Sequence, residues 1–154
     1  MSSRSIEHPG NAEPYDPGAD MALRYPDWVV RHRLIAPIPE VLCVRRRVVL
    51  VDSAADRAVR RCALAHAVAH IDLGHVPASG RTGRRCEEQA DTLAAARLIP
   101  LARLADVLRW ALGPDEVAAE MDVTEHMVRA RVLHLSAGEK AWISAFVADK
   151  DEAA

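Results

Sequence analysis

The chain has 154 residues, half of them apolar, with 22 acidic side chains against 20 Lys and Arg and a formal net charge of −2. That is room for one domain with a real hydrophobic core, and the near-neutral balance excludes the global basic field of a nucleic-acid-coating protein. No apolar leader opens it, no run approaches the ~20 apolar residues that span a bilayer, and Cys43, Cys62 and Cys86 fit no zinc ribbon or CxxC motif, so they read as reduced thiols of a cytoplasmic protein.

Residues 1–20 (MSSRSIEHPGNAEPYDPGAD) combine Pro, Gly, Ser and acids without a hydrophobic period, the composition of a flexible arm, and a short helix at about 20–26 fits at its end. Trp28 to Ile35 reads as a strand, followed by a turn marked by Pro37 and Pro39. Val41 to Val44 and Arg47 to Asp52 are β-rich runs separated by Arg45 and Arg46, a hairpin signal. Ser53-Ala-Ala-Asp56 has the capping-box pattern and opens a helix to about Asp72, with Gly74 as its stop. The segment from His75 to Arg85 is basic and glycine-containing, a solvated connector.

A second long helix runs from about Arg84 to Ile99 and is closed by Pro100; a third covers Leu101 to Leu112 and is broken by Gly113-Pro114. Two short helices at about 115–121 and 125–135 flank the turn Asp122-Val123-Thr124, and Ser136-Ala-Gly-Glu139 opens a last helix to about Val147. The fold class is therefore α+β: a small antiparallel sheet of about three strands, then a mostly helical domain with a helical C-terminal extension. The expected division is an arm at 1–20, a principal domain at 21–112 and a C-terminal helical subdomain at 113–150 packed on it.

The chemistry concentrates in LAHAVAHIDLGH, residues 64–75. His66 and His70 stand four apart, so on a helix both imidazoles reach one side and can share a zinc ion. The pair alone also fits satisfied core or surface histidines. The next helix supplies Glu87 and Asp91, again four apart, on the face of Ala90, Ala94 and Leu98. A carboxylate on an inward face needs a partner. Glu87 as third ligand completes a His₂Glu set with a position left for water, and Asp91 can accept the outer N–H of a ligand histidine and fix its tautomer. Glu88 lies about 100° round the helix and is solvated.

The order of these parts resembles the ImmA/IrrE family of metallo-endopeptidases: strands ending in Val-Leu-Val-Asp-Ser, the helix from Arg60 through His66 and His70 to His75, then Glu87 through Asp91 to Leu98-Ile-Pro100. The resemblance covers roughly residues 40–135. It implies a gluzincin-like site with zinc on His66, His70 and Glu87, and helix-turn-helix repressors of phages, mobile elements or stress regulons as substrates. The departure is Ala67, where family enzymes keep the Glu that takes a proton from the attacking water and returns it to the leaving nitrogen. Position 67 lies directly after the first ligand, so metal binding is untouched while cleavage becomes poor or absent. Asp72 points to the far side of the helix and His75 lies past its end, so neither replaces the missing base. Ala67 is then either a deliberate change or the mark of a natural pseudo-peptidase.

Residues 115–135 resemble a helix-turn-helix, with Asp122 at the turn position where Gly is usual. If they met DNA, Glu125, His126, Arg129 and Arg131 would face the groove. Glu125 repels phosphate and no basic patch surrounds it, so a buttress to the metal domain is the preferred reading. The alternative to an enzyme is a non-catalytic zinc-binding regulator that acts on a partner or on DNA.

Overall fold

The computed structural model describes residues 13–151. Of the expected flexible arm, residues 1–12 lie outside the described residues, whereas 17–20 already belong to a helix, α1 (Pro17–Arg24). The local cause is the Asp16 cap: its carboxylate accepts from the backbone N–H of Gly18 (2.8 Å) and Ala19 (3.1 Å), and Pro17 has no N–H to satisfy. Arg61 donates to the Tyr15 carbonyl (2.9 Å), and Met21 is buried against Ala63, Ala67 and Val68 of α2 (Arg57–Asp72), which together hold the segment down.

Three strands come next, β1 (Val29–Arg33), β2 (Glu40–Cys43) and β3 (Val48–Asp52), in the spatial order β1-β3-β2. β2 and β3 form the expected antiparallel hairpin, joined by a 3₁₀ turn at Val44–Arg46 and by Arg47 in the left-handed conformation (φ 51°). The expectation of a wholly antiparallel sheet is corrected at β1, which pairs with β3 in parallel. The reason is burial. β3 is the most buried run and takes the centre, with Val49 and Val51 at 0% and 1% exposure, while the basic β1 and the short β2 take the edges. The chain reaches β3 from β1 only by passing through β2, which gives the length that a parallel pairing requires.

One face of the sheet packs on α2 (Arg57–Asp72), where Val49 and Val51 meet Met21, Ala63, Ala67 and Val68. The N-cap of α2 is Asp56, accepting from Val59 N–H (2.9 Å), so Ser53 is not the capping residue. The stop is as expected: Gly74 is left-handed (φ 63°), its N–H donates to Ile71 O (3.1 Å) and that of His75 to His70 O (3.0 Å), a Schellman closure.

The other side of α2 packs on α3 (Gly80–Leu98). α2 is therefore enclosed on two sides, and its run of alanines lets both neighbours come close: Ala63 and Ala67 serve the sheet, Ala65 and Ala69 serve α3. α3 starts at Gly80, so Arg81, Arg84 and Arg85 ride on its first turns instead of forming a loop. The preceding segment folds tightly over that start. A Cβ at Gly83 would stand 2.6 Å from the Ala78 carbonyl oxygen, so only glycine fits.

The remaining helices are α4 (Leu101–Leu108), shorter than expected at its C-terminal end, α5 (Pro114–Met121), α6 (Glu125–Leu133) and α7 (Ala137–Asp151). Ser136 and Glu139 form the expected reciprocal cap: Glu139 N–H donates to Ser136 Oγ (3.1 Å) and Ser136 N–H to Glu139 Oε2 (2.8 Å). These helices and the α3 side of α2 share one apolar cluster that includes Leu98, Ile99, Leu104, Met121 and Met127. The mixed three-stranded sheet with its helical remainder makes the fold α+β. Among the described residues no helix is long and apolar enough to cross a membrane.

Candidate metal centre

His66 and His70 leave adjacent turns of α2 and meet Glu87, which reaches over from the second turn of α3. The His66 and His70 Nε2 atoms are 2.7 Å apart, and Glu87 Oε2 and Oε1 lie 3.2 Å and 3.4 Å from them respectively. One ligand atom from each of the three falls within 4.8 Å of the other two. Both imidazoles are largely enclosed, with side chains 11% and 12% exposed, whereas Glu87 is 63% exposed. Glu87 thus stands at the mouth of the site and not on the buried face expected for it. Glu88 is solvated, as expected (64% exposed).

The outer nitrogens fix the tautomers. His66 Nδ1 lies 2.8 Å from Asp91 Oδ1, and a carboxylate only accepts, so Nδ1 carries the proton. His75 Nε2 lies 3.3 Å from the carbonyl oxygen of the Gln89 amide and donates to it, which leaves His75 Nδ1 to accept from His70 Nδ1–H at 3.0 Å. Both ligand histidines therefore turn an Nε2 lone pair toward the other and toward the Glu87 carboxylate. Three acceptors face one another with no donor among them, and only a cation or a shared proton satisfies that set. Two borderline imidazole nitrogens with one carboxylate suit Zn²⁺. At zinc–nitrogen bonds of about 2.0–2.1 Å and a tetrahedral angle, the two nitrogens would separate to roughly 3.3 Å, about 0.6 Å beyond their 2.7 Å spacing.

Asp91 carries a second load. Its Oδ2 accepts from His126 Nε2 at 2.8 Å, a partner that arrives from α6. Burial raises the Asp91 pKa, but the hydrogen bonds from His66 and His126 outweigh it and hold the group below the usual carboxylate value. For His66 burial acts downward, yet the Asp91 hydrogen bond and the nearby Glu40, Asp91 and Glu87 charges leave it raised. His70 is lowered, first by burial and then by the charge of His66.

Ala67 is 1% exposed and lines the cleft of about 320 Å³ in front of the candidate ligands His66, His70 and Glu87. A second carboxylate enters the same cleft from β2. Glu40 is the register partner of buried Val51, and Leu42 is that of Val49, so both side chains stand on the face of the sheet turned to α2. Burial raises the Glu40 pKa; the His66 charge opposes this, and the Glu87 and Asp91 charges add to it. Glu40, like the support role of His126, was missed from sequence. Its only signal was an acid alternating with Leu42 on an apolar strand, and nothing local placed that strand beside α2.

Asp72 lies away from the site, as expected, bound to Arg24 (2.6 Å), Arg97 (2.5 Å) and the Tyr25 hydroxyl. Of the four residues that would face a groove if this segment met DNA, Arg131 is buried, while the half-buried Glu125 and the exposed His126 and Arg129 are engaged within the chain. Arg131 is 7% exposed and bonds the Ile99 carbonyl (3.0 Å) and Glu139 (2.8 Å), Arg129 is paired with Glu125 (2.5 Å), and His126 is on Asp91. Asp122 does make the turn, left-handed at φ 52°. It is held by Arg61, which donates to its carbonyl (2.9 Å), and by Arg57 on its carboxylate (3.0 Å).

With this geometry in place, residues 20–133 match the family model of the IrrE N-terminal-like domain, a peptidase family. No curated protein and no solved structure matches the chain. The match covers well over half of the sequence, so the chain belongs to that family, and its function is of the metallopeptidase type.

Proposed function

We propose that this family member is a zinc-dependent endopeptidase of the ImmA/IrrE type, cytoplasmic, acting on a helix-turn-helix repressor of a phage, mobile element or stress regulon, with its hydrolytic step crippled at Ala67. The observation that carries the zinc reading is the convergence of His66 Nε2, His70 Nε2 and Glu87 with both outer Nδ1–H groups already committed. Zinc held there supplies Lewis acidity and lowers the pKa of water toward ~7. Asp91 and His75 hold the ligand rings in place, which in comparable sites is worth about 10–100-fold in metal affinity. β2 is an edge strand beside the cleft, and its outer edge is a template for an extended peptide. Ala67 can neither take a proton nor return one.

A protein partner is supported over DNA, because the α6 side chains that would read a groove are spent on Asp91, Glu125, Glu139 and the Ile99 carbonyl. Ala67 itself favours one competing reading, a non-catalytic zinc-binding regulator of the same family. The two separate in the Ala67→Glu variant assayed on repressors encoded beside the gene. The enzyme reading expects cleavage to rise by about 10²–10⁴-fold and to vanish with a chelator or with His66→Ala. A zinc-loaded Ala67→Glu protein inert on all of those repressors leaves the regulator.

A further inference from the structure

We propose that Glu40 is the general base of this chain, so that whatever hydrolysis survives at Ala67 runs through a carboxylate supplied by the sheet instead of by the helix. The inference rests on the zinc reading above and goes beyond it. Glu40 lines the same cleft as His66, Ala67, His70 and Glu87, and also the adjoining hollow that His66, Glu87 and Asp91 line. Its direction is set by backbone pairing and not by a free rotor alone. Opposite Val51 in an antiparallel ladder, it shares the face that Leu42 and Val49 bury against α2. It is not among the residues that converge as a ligand set, so it faces the site without being a donor to the metal. Glu40 is half-buried beside His66, Glu87 and Asp91, and a carboxylate held there with no ion pair of its own is costly unless the site uses it. The imidazoles of the site are paired with Glu87 and Asp91, and among the described residues no salt bridge reaches Glu40.

The step balances without any other reactant. Glu40 removes a proton from the attacking water as its oxygen bonds to the peptide carbonyl carbon. The carbon–nitrogen bond then breaks, and the same proton passes from Glu40 to the departing amine. Glu40 returns ionised and the products are a carboxylic acid and an amine, between which the water's second proton then passes to give a carboxylate and an ammonium. Ala67 makes room for this, because a glutamate at 67 would fill the cleft from the helix side and compete for the same proton.

A peptidyl hydroxamate tests the assignment without turnover, since its hydroxyl proton must go to a nearby base when the hydroxamate oxygens take the metal. We would load wild type, Glu40→Gln, Ala67→Glu and the double variant with zinc, measure metal content, and titrate each with acetyl-leucine hydroxamate by calorimetry. The expected result is about one zinc in every protein. Affinity should fall at least ~10-fold in Glu40→Gln, the scale of one lost hydrogen bond to a charged group, and recover in the double variant. Zinc retained with unchanged hydroxamate affinity in Glu40→Gln overturns the base assignment alone. Loss of zinc in Glu40→Gln overturns it too, making Glu40 a ligand. Absence of zinc from wild type overturns both this assignment and the metal site. Glu40→Asp keeps the charge but withdraws it by one methylene, and gives an intermediate affinity if the assignment holds; circular dichroism of each variant checks that the strand survives.

Discussion

A single carboxylate, Asp91, serves two imidazoles from different helices: His66 on Oδ1 and His126 on Oδ2, each at 2.8 Å. The first contact decides which nitrogen of His66 carries the proton; the second holds Asp91 in position to do so. Asp91→Asn keeps the shape but offers at most one acceptor oxygen, so the His66 ring loses its fixed tautomer. The expected outcome is a zinc affinity lower by about 10–100-fold, read by competition with a chromogenic chelator, with His126→Ala giving a smaller loss of the same sign. An unchanged affinity in Asp91→Asn would show that the contact is not what orients the ligand. At this scale His66, His70, Glu87 and Asp91 were legible because each pair sits four residues apart on one helix, a local spacing. Glu40 and His126 were not, since their places depend on a strand register and on a helix packing far along the chain. The exposure of Glu87 was misjudged because a helix face predicts direction, not how much of the neighbouring helix reaches over it.

Among the elements, α1, α2 and α3 are stitched together by Asp72. Arg24 reaches it from α1 and Arg97 from α3, and Tyr25 donates its hydroxyl. Burial raises the Asp72 pKa, but the hydrogen bonds from Arg24, Tyr25 and Arg97 outweigh it and bring it down to about 2. A carboxylate with a depressed native pKa binds its proton more readily in the unfolded chain. Its contribution to stability is therefore complete above the ordinary value of ~3.9 and is lost as pH falls toward about 2. Asp72→Asn should thus melt below wild type at neutral pH, with the gap closing between about pH 4 and about pH 2. Parallel melting curves across that window would mean that the network is only a surface decoration. The helices themselves were legible from their stops and caps, notably Gly74 and the Ser136–Glu139 pair. The starts of α1 and α3 were not, because the Asp16 side-chain cap and the left-handed Gly80 sit inside stretches whose composition reads as loop. The parallel pairing of β1 was hidden for a related reason: sequence neighbours suggest hairpins, while the choice of the central strand is made by burial of β3.

For the whole molecule the question is whether the part that carries the candidate metal site stands without the helices beyond residue 112. α5, α6 and α7 bring Val117, Met121, Met127, Val128 and Ile143 into the cluster that also holds Ala65, Ala69, Ala94 and Leu98 of α2 and α3. Arg61 of α2 adds polar ties, donating to the carbonyls of Met121 (3.1 Å) and Asp122 (2.9 Å), while His126 supports Asp91. Burial of each large apolar side chain is worth about 1.5–3 kcal/mol, so removing five of them subtracts an amount comparable to the whole ~5–15 kcal/mol of a typical domain. A fragment ending at 112 should therefore show no cooperative thermal transition, bind a hydrophobic dye and fail to hold zinc, although all three ligands are present in it. Zinc on His66, His70 and Glu87 would join α2 to α3, and so would stabilise only a chain in which those helices are already packed. If the fragment melts cooperatively and keeps one zinc, the C-terminal helices are a separable attachment. If it does not, α5 to α7 are part of the machinery that holds His66, His70 and Glu87 together.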